Sequence, residues 1–184
     1  MSGSLSQTAA PPTGSNAFIR LSNTLSSICG VVSASMILIA VIITCQMIFV
    51  RFVLNQSTIW QTEAVIYLMV SATLVGLPYV QRHRGHVNVD LLPLMLHRRM
   101  RKLLAMIVFA ASIIVVCIML FYGFEQWYVA FQKGWTSDTV WGVRLWIPYL
   151  ALPVGFSLFL LQLIADLMAV VLDYERPFGL EEKP

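Results

Sequence analysis

Charge is what this sequence has least of. Asp, Glu, Lys and Arg make up 11% of its 184 residues, against about 25% in an ordinary soluble domain. Cysteine is also scarce: Cys29, Cys45 and Cys117 all fall inside apolar runs, with no CxxC pair and no metal-ligand spacing. That pattern disfavours a quinone-linked thiol oxidoreductase. The three histidines, His83, His86 and His97, share one basic stretch and none lies in an apolar run, whereas a membrane haem b protein needs axial histidines at membrane depth. His83 and His86 are a poor metal pair, because arginines crowd them and no Cys joins them. There is no Ser-His-Asp set, no phosphate-cradling glycine loop and no pair of carboxylates at helical spacing. The expectation is therefore not an enzyme, and no cofactor. The basic residues sit beside apolar runs, where they control topology, so nucleic acid is not an expected partner.

What is abundant is apolar sequence. Hydrophobic residues make up 58% of the chain, gathered in runs of the ~20 residues that a helix needs to cross a ~30 Å hydrocarbon core. A membrane β-barrel would show short alternating segments instead. The fold class expected is an all-α integral membrane protein with four transmembrane helices, at about 26–50, 59–80, 103–124 and 145–171, and an interfacial amphipathic segment between the second and third. Residues 1–24 are rich in Ser, Thr, Ala, Pro and Gly; they read as a disordered tail rather than a cleavable signal, since no apolar segment follows closely on a basic start. Residues 173–184 read as a second polar tail. The third helix meets no breaker until Gly134, and Pro153 is placed to kink the fourth.

Orientation follows from Lys and Arg. One side holds Arg20, Arg82, Arg84, Arg98, Arg99, Arg101, Lys102, Arg176 and Lys183; the other holds only Arg51, Lys133 and Arg144. The positive-inside rule then puts both termini in the cytoplasm. In the second link, Asp90 is placed to cap a short helix from Leu91, with Pro93 in its first turn. Leu91, Leu92, Leu94, Met95 and Leu96 suit a helix lying in the interface with the following basic residues among lipid headgroups. A re-entrant turn into the third span is the alternative.

Glu63, one turn into the second span, is the most informative acidic residue. Trp60, Glu63 and Tyr67 share one helix face. An acidic group near the membrane interior is a functional candidate, either as a coupling carboxylate or as an interfacial partner of Arg51 or of another subunit. The nearness of both Arg51 and Glu63 to one membrane surface favours the second. Gln162 and Asp166 lie late in the fourth span, with Asp166 expected at the cytoplasmic headgroup level near the basic link. Gly76 and Pro78 suggest close packing or a kink. The outer link is aromatic: Trp127, Tyr128, Phe131, Trp135, Trp141, Trp146 and Tyr149 suit an interfacial belt, or a docking surface for a protein outside the membrane.

The stretch from Arg51 to Leu92 resembles the small, DctQ-type membrane subunit of tripartite ATP-independent periplasmic (TRAP) transporters. The resemblance rests on Arg51 closing the first span, Trp60 and Glu63 opening the second, Gly76 later in it, a basic turn with Arg82, Arg84, Gly85 and His86, and then Val87, Val89 and Asp90. Pro148, Pro153 and Gly155 in the fourth span fit too, so the likeness covers roughly residues 25–170. The family often has two consecutive acidic residues in the second span; here Thr62 precedes Glu63. The resemblance implies a bacterial inner-membrane complex of three parts: a soluble periplasmic substrate-binding protein, a large multi-span subunit holding the substrate and sodium sites, and this small subunit as a scaffold among membrane lipids. It makes Arg51, Trp60, Glu63, Gly76, Arg82, Arg84, His86 and Asp90 structural or subunit-interface candidates, and Trp127, Trp135 and Trp141 periplasmic docking candidates. Two other classes compete. An autonomous proton-coupled transporter would use Glu63, and a four-helix glutathione-dependent enzyme would use the basic link as an anion site.

Overall fold

The computed structural model of the chain describes residues 17–83 and 98–172. Among them are five helices: α1 (Ala17–Val53), α2 (Ile59–Arg82), α3 (Arg98–Lys133), α4 (Trp146–Tyr149) and α5 (Ala151–Val171). Four segments are long and apolar enough to cross a membrane, α4 and α5 together forming the fourth. The expected tails up to residue 16 and from residue 173, and the interfacial segment from Leu91 to Leu96, lie outside the described residues. The start of α1, the end of α2, the start of α3 and the end of α5 share one end of the assembly, here the terminal end. The other, the hairpin end, carries residues 54–58 and 134–145.

Helix α1 begins nine residues ahead of the apolar run at Ser26. Composition alone does not favour this, since Ser22, Asn23 and Thr24 prefer caps and turns. Local bonds partly satisfy them: Thr24 donates to the Arg20 carbonyl at 2.9 Å and Ser27 to that of Asn23 at 3.2 Å. Tertiary packing does the rest, because Ile19, Ser22 and Ser26 are buried. At about 1.5 Å per residue, the 37 residues of α1 and 36 of α3 outrun the ~30 Å core.

The packing seams are lined by small residues. On α1, Ser22 and Cys29, and likewise Ser26, Ser33 and Ala40, recur at seven-residue spacing and are buried, the pattern of a left-handed coiled-coil seam with small side chains drawing backbones together. Its principal neighbour is α2. Ser33 donates to the Ala72 carbonyl at 2.7 Å, and a Cβ on Gly76 would stand 2.8 Å from Ser33 Oγ. On α3, Val116, Gly123 and Ala130 are buried at the same spacing; they face α5, where a Cβ on Gly123 would meet Leu152 at 3.3 Å.

Helix α5 is the hub, packed against α1, α2 and α3. Helix α3 rests chiefly on α5, leaving Ile107, Val108, Ile114, Val115, Ile118 and Met119 exposed. Both prolines inside spans have visible effects. Pro153 cannot donate to the Tyr149 carbonyl, and the fourth span is interrupted at Leu150 although that residue keeps helical dihedrals. Pro78, buried in α2, likewise lacks the N–H that would close the bond to the Leu74 carbonyl. That carbonyl lies against α5: a Cβ on Gly155 would stand 2.8 Å from its oxygen.

Candidate functional site

At the hairpin end, α1 turns into α2 through residues 54–58, with Asn55 at φ 49, a left-handed conformation that Asn tolerates. Helix α3 stops at Lys133 because Gly134 adopts φ +59. The following segment folds back as a short hairpin. Ser137 N–H donates to the Val143 carbonyl at 2.8 Å, Leu145 N–H to that of Trp135 at 2.9 Å, and Gly142 N–H to that of Thr139 at 3.0 Å. Thr136 and Arg144 form its single bridge, and Gly142 at φ +59 completes the turn.

This hairpin closes over Glu63, which is 8% exposed. Tyr67 donates its hydroxyl to Glu63 Oε1 at 2.5 Å, and Thr139 donates to Oε2 at 2.5 Å. Ser137 Oγ stands 3.1 Å from Thr139 Oγ1 and braces it. Both carboxylate oxygens thus have donors from this same chain. The expected pairing of Glu63 with Arg51 does not form: Arg51 is exposed on the last turn of α1, and the hairpin, rather than the α1 terminus, reaches the carboxylate. Trp60 stacks obliquely on Trp141, centroids 6.1 Å apart. The site is a tether, joining the start of α2 to a loop 76 positions later.

The other tryptophans divide by role. Trp127 is partly buried in an aromatic ladder on α3, 5.6 Å from Phe124 and 5.8 Å from Phe131, which in turn meets Trp146 edge-on at 5.9 Å. Trp135 is exposed at the base of the hairpin, with Lys133 Nζ 5.7 Å above its ring.

At the terminal end a second polar cluster joins three helices. Gln162, 1% exposed, accepts from Ser22 Oγ at 3.0 Å and donates to Asp166 Oδ1 at 2.7 Å and Asn23 Oδ1 at 3.3 Å. Gln81 donates to Asp166 Oδ2 at 3.2 Å. Arg82 donates to the Asn23 carbonyl at 2.6 Å and to Ser27 Oγ. Polar groups buried this way must be paired, and this cluster pairs them across α1, α2 and α5. Gln162 and Asp166 are visible in the sequence as polar residues late in the fourth span; the roles of Ser22, Asn23 and Ser27 are not, because their partners lie far along the chain. Gly76 sits at the α1–α2 seam, while Arg84, His86 and Asp90 lie outside the described residues.

The geometry is that of a four-span membrane protein braced by a polar cluster at each end. Residues 40–172 match the family described as "Tripartite ATP-independent periplasmic transporters, DctQ component". The chain belongs to that family. It is similar to the C4-dicarboxylate TRAP transporter small permease protein DctQ of Vibrio cholerae serotype O1, with 23% identity over 132 residues, covering 60% of this chain and 57% of the relative. The chain thus spans a little over half the length of that relative. Membership of the DctQ component and four apolar helices make it a multi-pass inner-membrane protein of a transport system. The match begins at Ala40, so the terminal half of α1, with Ser22, Asn23 and Ser27, precedes the matched region, while their partners Gln162 and Arg82 lie within it.

Proposed function

We propose that this chain is the small scaffold subunit of a secondary, sodium-driven transporter that receives organic anions from a periplasmic substrate-binding protein. Carboxylates are the favoured class, C4-dicarboxylates among them, from the name of the Vibrio cholerae relative. The chain packs against a large transporting subunit and holds no substrate site itself. One observation carries this reading: Glu63 and Asp166, the carboxylates within its spans that are not exposed, are engaged by donors of this same chain, while Glu125 of α3 is exposed toward the hairpin end. A coupling carboxylate must exchange its partner for a proton or an ion; these act as braces. The autonomous transporter built on Glu63 loses its main support for the same reason.

A scaffold must hold depth and tilt while its neighbour moves. Aromatic residues at one interface and basic residues at the other serve this, and the open apolar side of α3 offers a lateral surface for the large subunit. Of the outer tryptophans, Trp135 under Lys133 is the one offered to the periplasmic protein. The excess of Lys and Arg at the terminal end supports cytoplasmic termini; a C-terminal reporter active only outside the cytoplasm should stay silent.

The deciding experiment is a mild-detergent pull-down of the tagged chain from its native membrane. A large multi-span protein in stoichiometric amount is expected, followed by sodium-dependent uptake on reconstitution with the binding protein. Recovery of the chain alone, as a stable homo-oligomer, would overturn the scaffold reading.

A further inference from the structure

Val140, at the tip of the hairpin, is 89% exposed, the highest value among the exposed large hydrophobic residues described. Its neighbour Trp141 is 44% exposed. An apolar tip on a well-bonded hairpin calls for an occupant, and its depth identifies one. Helix α3 carries the chain away from the core to Lys133, yet six residues later Thr139 is bonded to Glu63, one turn inside α2. The hairpin therefore folds back toward the bilayer instead of projecting from it. Trp141 lies against Trp60, the second residue of α2, so both indoles share one depth, that of the membrane's aromatic belt. Arg144, at the foot of the hairpin, is exposed and suited to lipid phosphates, with its stem along the apolar surface.

We propose that the hairpin 134–145 is a tethered lipid anchor. It inserts Val140 and Trp141 into the headgroup–acyl boundary of the leaflet at the hairpin end, and the Glu63–Thr139 bond sets its depth. An exposed apolar side chain at this depth gains from leaving water at about 25 cal/mol per Å², and Trp141 adds an indole, which favours that boundary.

The test uses the full-length chain, purified with whatever accompanies it and placed in lipid nanodiscs. Cys29, Cys45 and Cys117 are replaced by Ala, and Val140→Cys carries an environment-sensitive fluorophore, its attachment to this chain checked on a denaturing gel. Expected is blue-shifted emission, quenched more by a nitroxide high on the lipid acyl chain than by one deep on it, and little quenched by aqueous iodide. Strong iodide quenching with weak nitroxide quenching would overturn the proposal. So would protection from both, which would mean that protein covers the tip. A second variant, Thr139→Val, keeps the size of the side chain and removes the hydroxyl that donates to Glu63; it should raise iodide quenching of the label and lower nitroxide quenching. An unchanged depth in that variant would overturn the role of the Glu63 tether.

Discussion

Ser22 and Gln162, separated by 140 positions, are joined in the interior by a 3.0 Å hydrogen bond. Ser22→Ala leaves the Gln162 carbonyl oxygen buried without that donor, a loss of about 1–3 kcal/mol in a dry site and about 0.6 kcal/mol where membrane-embedded alternatives exist. Gln162→Ala should cost more, because it also withdraws the 2.7 Å bond to Asp166. A double-mutant cycle read by unfolding in mixed micelles should return a coupling of roughly 0.5–1.5 kcal/mol; strict additivity would mean that the pair contributes nothing.

Gly155 and Gly30 look alike in sequence and should respond differently to alanine. A Cβ at 155 meets the Leu74 backbone at 2.8–2.9 Å, whereas one at 30 meets the ring of Tyr79 at 2.4–2.9 Å. Tyr79 is 38% exposed and its ring can swing away. Gly155→Ala should therefore destabilise by about 1–3 kcal/mol, the usual cost of overpacking. Gly30→Ala should stay within about 1 kcal/mol, since the gain in helix propensity is of that size. Thermal unfolding in detergent ranks the two.

At the α1–α2 seam the expectation is rescue. Gly76→Ala alone sets a methyl 2.8 Å from Ser33 Oγ and should cost about 1–2 kcal/mol. Ser33→Ala removes that oxygen, leaving the nearest Ser33 atom at 3.4 Å. The double variant should recover most of the stability lost by Gly76→Ala, and a double variant worse than either single one would contradict the seam geometry.

Gly142 has nothing within 4 Å of its would-be Cβ but holds φ +59. Gly142→Ala should strain the hairpin by about 1–2 kcal/mol without any clash, while Gly142→Asn should be milder. Hydrogen exchange should quicken at Ser137 and Leu145, the amides bonded across the hairpin, and remain slow in the spans.

Glu63→Ala removes the acceptor shared by Tyr67 and Thr139. The yield of assembled complex should fall, with substrate preference unchanged in what remains. Normal yield with altered preference would point to a transport role for the carboxylate.

The four apolar runs were legible because lipid leaves a helix few alternatives: each backbone group must bond within its own segment. The outward continuation of α3 to Lys133 and the interruption caused by Pro153 were equally readable, since glycine and proline act through their own covalent structure. The start of α1 was not. Ser22 and Asn23 read as tail, and only Gln162, brought near by α5, makes helix the better state for them. The partner of Glu63 was hidden for a related reason: Arg51 is near in sequence, but Thr139 arrives through a turn that depends on Gly142. Short-range chemistry was visible, and pairings between distant segments were not.

The proline at 78 reaches further than its own helix. By withholding an N–H from the Leu74 carbonyl, it leaves that oxygen turned toward position 155, where only hydrogen fits. Positions 78 and 155 thus meet at one carbonyl. Because a Cβ at 155 would also stand 2.9 Å from the Leu74 carbonyl carbon and Cβ, the glycine is required by the closeness of the two helices whether or not that oxygen is bonded. A homologue that loses the glycine should show its fourth span moved away from its second.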